Sequence, residues 1–277
     1  MQDVAPMPDA IDAVDNTDWL KTAAIVFAAA GHFGYFFVED ERWWSVTGRL
    51  AAPALFFLLG YARSRTVPLY WIWLGIFLTL LDIWNADWSW MPLNILLNFA
   101  LIRLLRPHAL MLLQRHGFLA LAGMVTLLVA LVPAAVKCID YGTGGWLWAL
   151  YGLCRRLSVD CCSEPADLPQ ARCRSAISLR DPANLMSLLA CLAAAPAYVW
   201  QEQQEFWFPH VAFAAFIVGL AAVSFSLYLF QRGPSPVQPT EPMAGTLRFI
   251  GRHTLEIYAV QLAASELLIK LFPKLAG

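Results

Sequence analysis

The sequence predicts an all-α, polytopic transmembrane helix bundle with about nine spans, and three observations predict it. Of 277 residues, 59% are hydrophobic and only 14% charged, against about a quarter charged in soluble domains. The apolar residues form long runs separated by short polar clusters, each run able to satisfy its own backbone hydrogen bonds as a helix. The arginines are distributed unevenly between alternate connections, as the positive-inside rule requires. Charges nearly balance, 19 Lys+Arg against 20 Asp+Glu, so no basic field is available to hold nucleic acid.

Residues 1–18 carry Asp3, Asp9, Asp12, Asp15 and Asp18 and no Lys or Arg. They lack the positive n-region of a secretory signal and read as an acidic tail before a single transmembrane domain, 19–277. Within that domain the candidate spans are Trp19–Val38, Trp44–Ala62, Pro68–Trp84, Trp90–Leu105, Gly117–Val136, Tyr141–Leu153, Ala183–Trp200, Phe206–Phe230 and Arg252–Phe272. Asp18 is positioned to cap the first.

The sixth run is short for a hydrocarbon core of about 30 Å, and the ninth carries Glu256 and Glu266. Loop charge argues for retaining both. With all nine crossing, one side holds Arg63, Arg65, Arg103, Arg106, Arg115, Arg155, Arg156, Arg172, Arg174, Arg180, Arg232, Arg248 and Arg252, and the other essentially Arg42 and Lys137. Removing the sixth crossing would put Arg155 to Arg180 on the wrong side. The expected N-terminus is therefore cytoplasmic and the C-terminus external, with cytoplasmic loops at 154–181 and 231–248. Trp43, Trp44, Trp84, Trp88, Trp90, Trp146, Trp200 and Trp207 then fall at the outer interface, where amphipathic indoles concentrate.

Four of six cysteines, Cys154, Cys161, Cys162 and Cys173, cluster on the cytoplasmic side. Their spacings are not those of paired zinc knuckles, so they read as reduced thiols and no metal is expected.

Ionisable groups within spans are costly and are functional candidates for that reason. Lys21 lies near the cytoplasmic end of the first helix, where it can snorkel. His32, the one histidine read as deep in a span, lies in the run Ala28-Ala29-Ala30-Gly31-His32-Phe33-Gly34. Gly31 and Gly34 there admit a neighbouring helix or a substrate. Its imidazole suits a general base for attack on an acyl thioester, and it equally suits an interhelical hydrogen bond. An Arg49–Asp82 pair bracketing His32 is geometrically feasible, with structural pairing as its plainer explanation. Asn94 and Asn98, four apart, offer two amides on one face as interhelical glue or substrate contacts. Arg63 and Arg65 present two guanidinium forks to phosphates, of lipid or of coenzyme A.

Asp18-Trp19-Leu20-Lys21 with Gly31-His32, then Gly48-Arg49-Leu50-Ala51-Ala52-Pro53-Ala54-Leu55-Phe56-Phe57-Leu58-Leu59-Gly60, then Asn94-Ile95-Leu96-Leu97-Asn98, resemble the TraX family, named for a conjugation protein that N-acetylates F-type pilin. Gly251-Arg252-His253-Thr254-Leu255-Glu256-Ile257-Tyr258 resembles the last span of that family. Lys21-x10-His32 is similar to the basic-x10-His arrangement in the first helix of integral-membrane acyltransferases. The resemblance implies a bacterial inner-membrane acyltransferase using acetyl-CoA, with Lys21, Arg63 and Arg65 toward the donor and His32 assisting transfer to an amine or hydroxyl. The chain departs from the family at Gly31, where an aspartate is usual, and at Gln261, where a histidine is usual. Those departures leave open a non-catalytic subunit of a larger membrane complex. A transporter is disfavoured by sparse intramembrane charge and the absence of repeats.

Overall fold

The structure is a computed structural model that describes residues 13–38, 42–64, 66–85, 93–160 and 181–272. These form eleven helices, and no strand is formed among the described residues. Five helices are long and apolar enough to cross a membrane, by length and composition: Asn16–Phe37, Ile95–His116, Phe118–Ala135, Pro182–Phe206 and His210–Leu229.

Helix α1 (Asn16–Phe37) begins inside the expected acidic tail, because Asp15 rather than Asp18 is its cap. The Asp15 carboxylate accepts from Thr17 N at 2.9 Å, and Asp18 accepts from Asp15 N at 3.2 Å, a reciprocal capping box. The expected single span Trp44–Ala62 is two helices, α2 (Arg42–Arg49) and α3 (Ala51–Tyr61), joined at Leu50. Pro53 explains the joint. It has no N–H to offer the carbonyl four residues back, Arg49, and the helical ladder lapses there. The Tyr198 hydroxyl donates to that Arg49 carbonyl instead, at 2.8 Å.

Helix α4 (Leu69–Asn85) packs chiefly on α5 (Ile95–His116) and on the last helix. The chain reverses at Gly117 into α6 (Phe118–Ala135), so Arg103, Arg106 and Arg115 lie on a helix and not in a loop. The same extension places His108 inside α5, so His32 is not the one histidine within a long helix. Helix α7 (Gly142–Asp160) is longer than the expected 141–153 segment and includes Arg155 and Arg156. The expected cytoplasmic loop therefore begins no earlier than 161, and residues 161–180 lie outside the described residues.

Helix α7 is central. Trp148, Tyr151, Leu153 and Cys154 are buried, and α7 meets α3 backbone to backbone: a Cβ on Gly60 would strike the Ala149 carbonyl, and one on Gly152 that of Phe57. Small residues substitute for hydrophobic driving force where helices associate in an apolar solvent. Helix α8 (Pro182–Phe206), capped by Asp181, runs beyond the expected end at Trp200, and α9 (His210–Leu229) follows it.

The expected loop 231–248 contains a further helix, α10 (Glu241–Arg252), which is amphipathic. Its Ala244 and Leu247 bury against Val14 and Trp19 at the start of α1. Helix α11 (Thr254–Leu271) continues from α10 across His253 and packs along α1.

Polar contacts mark the two ends of the bundle. At one, Arg156 donates to Ala62 O at the end of α3, and Arg155 to Asn184 Oδ1 at the start of α8. At the other, Leu93 and Asp140 pair through Leu93 N to Cys138 O and Asp140 N to Leu93 O, and Trp146 Nε1 donates to Asn98 Oδ1. The first end carries most of the arginines.

Candidate functional site

Helix α1 is held between α2 on one face and α11 on another. Gly31 lies on Gly48, where an added Cβ would come within 2.5 Å of the Gly48 Cα, and Gly34 lies under the Trp44 side chain. The close approach read from Gly31 and Gly34 is thus made by α2. This contact turns the half-buried His32 toward α11, where its Nδ1 is 2.9 Å from Gln261 Nε2 and its ring meets Tyr258 edge-on at 5.2 Å. The two positions singled out separately in the sequence, 32 and 261, are therefore partners. The amide and the ring tautomer are coupled: the amide nitrogen donates to a bare Nδ1 with the proton on Nε2, and the flipped amide oxygen accepts from Nδ1–H with Nε2 free as a base.

Lys21 and His32 lie on the same seam. Lys21 Nζ donates to Gly251 O at 2.7 Å, where α10 ends, and eleven residues further along α1 His32 meets Gln261. A cavity of about 200 Å³ opens beside Lys21, lined also by Tyr70, Trp71, Arg103, Arg252 and Glu256. Arg63 is exposed in the α3–α4 connection and does not line this cavity; Arg65 lies outside the described residues. Arg103 and Arg252 are there instead.

Arg106, one of the expected loop arginines, is buried. Its guanidinium donates to the carbonyls of Leu59, Ala62, Arg63 and Ser64 and closes the C-terminus of α3. Asn94 caps α5 by accepting from Leu96 N, and Asn98 bridges Asp140 O and Trp146 Nε1. Asn98 thus ties α5 to the start of α7, whereas Asn94 serves its own helix as a cap.

The expected Arg49–Asp82 pair falls on a side chain, that of Asp82, outside the described residues. Among the described residues Arg49 has other partners. It reaches α8, with Nε 3.4 Å from Glu202 and NH2 3.6 Å from Glu205, and stacks over Phe206 at 4.1 Å and Tyr141 at 5.1 Å. Glu202 is 0% exposed and Gln201 2%; Glu202 lies beside the Tyr198 hydroxyl, and the Gln201 amide has no hydrogen-bond partner among the described residues. Sequence reasoning missed this cluster because it closed the seventh span at Trp200. The signal was present: Tyr198, Gln201, Glu202 and Glu205 recur at i, i+3, i+4 and i+7, one polar stripe on one helical face.

Of the cysteine cluster, Cys154 is buried, and Cys161, Cys162 and Cys173 lie outside the described residues. Among the described residues no group of three His, Cys, Asp or Glu side chains is arranged to hold a metal ion.

Fold and helix dimensions define a multi-pass, all-α membrane protein. No family model, no curated protein and no solved structure matches the chain.

Proposed function

We propose that the chain crosses the bacterial inner membrane nine times with its N-terminus in the cytoplasm, and that it is a TraX-like acyltransferase using acetyl-CoA. Helices α1, α2 with α3, α4, α5, α6, α7, α8, α9 and α11 supply the crossings, and α10 lies along the cytoplasmic face. The arginine-rich end and the aromatic opposite end support this orientation.

The observation that carries the enzymatic reading is the α1–α11 seam. Lys21 and His32 both meet the α10–α11 arm, at Gly251 and Gln261, about 16 Å apart along the helix. A donor entering from the cytoplasm would leave its phosphates near Lys21 and extend its thioester toward His32. There His32 takes the proton from an acceptor amine or hydroxyl as that group attacks the thioester carbonyl. The carbon–sulfur bond breaks, and the coenzyme thiolate leaves and is reprotonated. In this reading Gln261 orients the ring by accepting from Nδ1–H.

The test is release of free coenzyme A from acetyl-CoA by the purified protein in lipid nanodiscs, with a panel of amine and hydroxyl acceptors. His32→Ala should abolish the release while the thermal unfolding profile is retained. Equal release from both proteins removes the enzymatic reading.

A second reading, a non-catalytic subunit of a membrane complex, is favoured by α4. That helix exposes Leu69, Trp73, Phe77, Leu80 and Trp84 along one face, with Trp73 70% exposed. Photo-crosslinkers placed at Trp73 would capture a defined protein in this reading and lipid alone in the first.

A further inference from the structure

We propose that the cavity between α1, α4, α5 and the α10–α11 junction is a binding site for the phosphate group of an organic phosphate. With a coenzyme as ligand the site rests on the acyl-donor reading above; binding there does not require His32. Its lining gathers three cations that have no carboxylate partner among the described residues.

Three cations line the cavity: Lys21, Arg103 and Arg252. Among the described residues none of them is within ion-pair reach of a carboxylate. Glu256 is the one acidic side chain in the lining, and it is engaged by the Tyr70 hydroxyl and lies 4.0 Å from His253. Asp18, also near Lys21, packs against Gly251 and is engaged by the Asp15 amide. The local balance is therefore positive.

Arg252 is exposed at the rim, whereas Arg103 is oriented and partly buried. Arg103 lies over the Trp71 ring at 4.7 Å, a stacking that fixes the plane of its guanidinium. Among the described residues its buried Nε has no hydrogen-bond partner. Trp71 is 8% exposed, and its Nε1–H lies beside the Tyr70 hydroxyl, a second polar group in the lining. Lys21 spends one donor on Gly251 O and has others to offer. Leaving such donors unpaired in an apolar surround costs about 1–3 kcal/mol each, more for charged groups, so the site is completed by an acceptor-rich ligand. The rim is the first turn of α11, Thr254, Leu255 and Glu256, where the helix dipole favours an anion.

Size decides how much of the ligand is enclosed. At about 200 Å³ the cavity exceeds the roughly 150 Å³ that holds benzene, and falls below the roughly 300 Å³ at which whole-ligand pockets begin. It therefore takes one phosphate-sized group and leaves the remainder of the molecule outside. A phospholipid headgroup at the cytoplasmic surface and a nucleotide-type coenzyme supply the same chemistry.

Two arms separate the sources. In the first, thermal stabilisation of the purified protein is measured with coenzyme A and with pantetheine, which lacks the phosphates. In the second, native mass spectrometry counts phosphatidylglycerol retained from mixed nanodiscs. The variants are Arg103→Gln, Arg252→Gln at the exposed rim, and Arg115→Gln, an exposed arginine elsewhere on α5, as control. A shift with coenzyme A and none with pantetheine, weakened tenfold or more by Arg103→Gln or Arg252→Gln and unchanged by Arg115→Gln, supports the site with a coenzyme as ligand. Retained phosphatidylglycerol lost in the same variants supports it with a lipid as ligand. If Arg103→Gln does not fold, Arg252→Gln decides. No response in either arm, or equal loss in Arg115→Gln, overturns the proposal. His32→Ala should bind as the wild type does, so a failed acyl-transfer assay and a failed binding assay remain distinguishable.

Discussion

Gly31 and Gly48 touch through their backbones: a Cβ on Gly31 would stand 2.5 Å from the Gly48 Cα, and one on Gly48 would stand 2.7 Å from the Gly31 Cα. The crossing of α1 on α2 is therefore set by two hydrogens. Gly31→Ala should destabilise the protein by about 1–3 kcal/mol through overpacking. Gly31→Asp, the residue that the family resemblance would favour, should be worse, because a carboxylate would be driven into the helix crossing. Thermal unfolding in detergent ranks the three proteins, and an unaltered Gly31→Asp midpoint would show that α1 and α2 are not in contact there.

The Arg49 carbonyl offers a rescue experiment. Pro53 denies it a helical donor, and the Tyr198 hydroxyl replaces that donor at 2.8 Å. Tyr198→Phe should cost about 1–3 kcal/mol, the penalty of an unpaired buried acceptor. Pro53→Ala restores an N–H at the right position, so the loss on Tyr198→Phe should shrink in a Pro53→Ala background. Equal losses in the two backgrounds would leave the helix break without its proposed cause.

Arg49 and Glu202 form a buried pair, so their single and double replacements should be strongly non-additive. Arg49→Met leaves a carboxylate buried without its cation and should cost about 3–5 kcal/mol. The double variant Arg49→Met, Glu202→Met should recover most of that loss. Additive effects would mean that the two side chains do not share one environment.

Gln261→Leu removes the partner of His32 Nδ1. In the enzymatic reading this should lower kcat while leaving KM for the acyl donor nearly unchanged, because a positioning residue acts through the base it orients. Gln261→His should retain more activity than Gln261→Leu. A KM effect alone would place position 261 in donor binding.

Orientation can be read from thiols already present. Cys138 is exposed at the α6–α7 turn, whereas Cys154 and Cys191 are buried. With the proposed cytoplasmic N-terminus, a membrane-impermeant maleimide added to intact spheroplasts should label Cys138. A label on Cys138 that appears only after lysis would reverse the topology.

The sequence by itself determined the solvent, the helical class and, within a few residues, most of the segments, since hydropathy and loop charge are local sums along the chain. It also singled out Lys21, His32 and Gln261. Only the tertiary structure decided their partners. Nothing local says that Gln261 answers His32 across 229 positions, or that Arg49 finds Glu202 on α8. Charge was the signal used to end a span, and it misplaced the boundaries wherever a neighbouring helix supplies the compensating group. Arg106 survives inside the bundle because the end of α3 offers it carbonyls, and Arg155 because Asn184 and Ser158 accept from it. Whether a polar residue ends a helix or lies buried within one depends on what packs beside it, and that is fixed by three-dimensional contact rather than by neighbours in sequence.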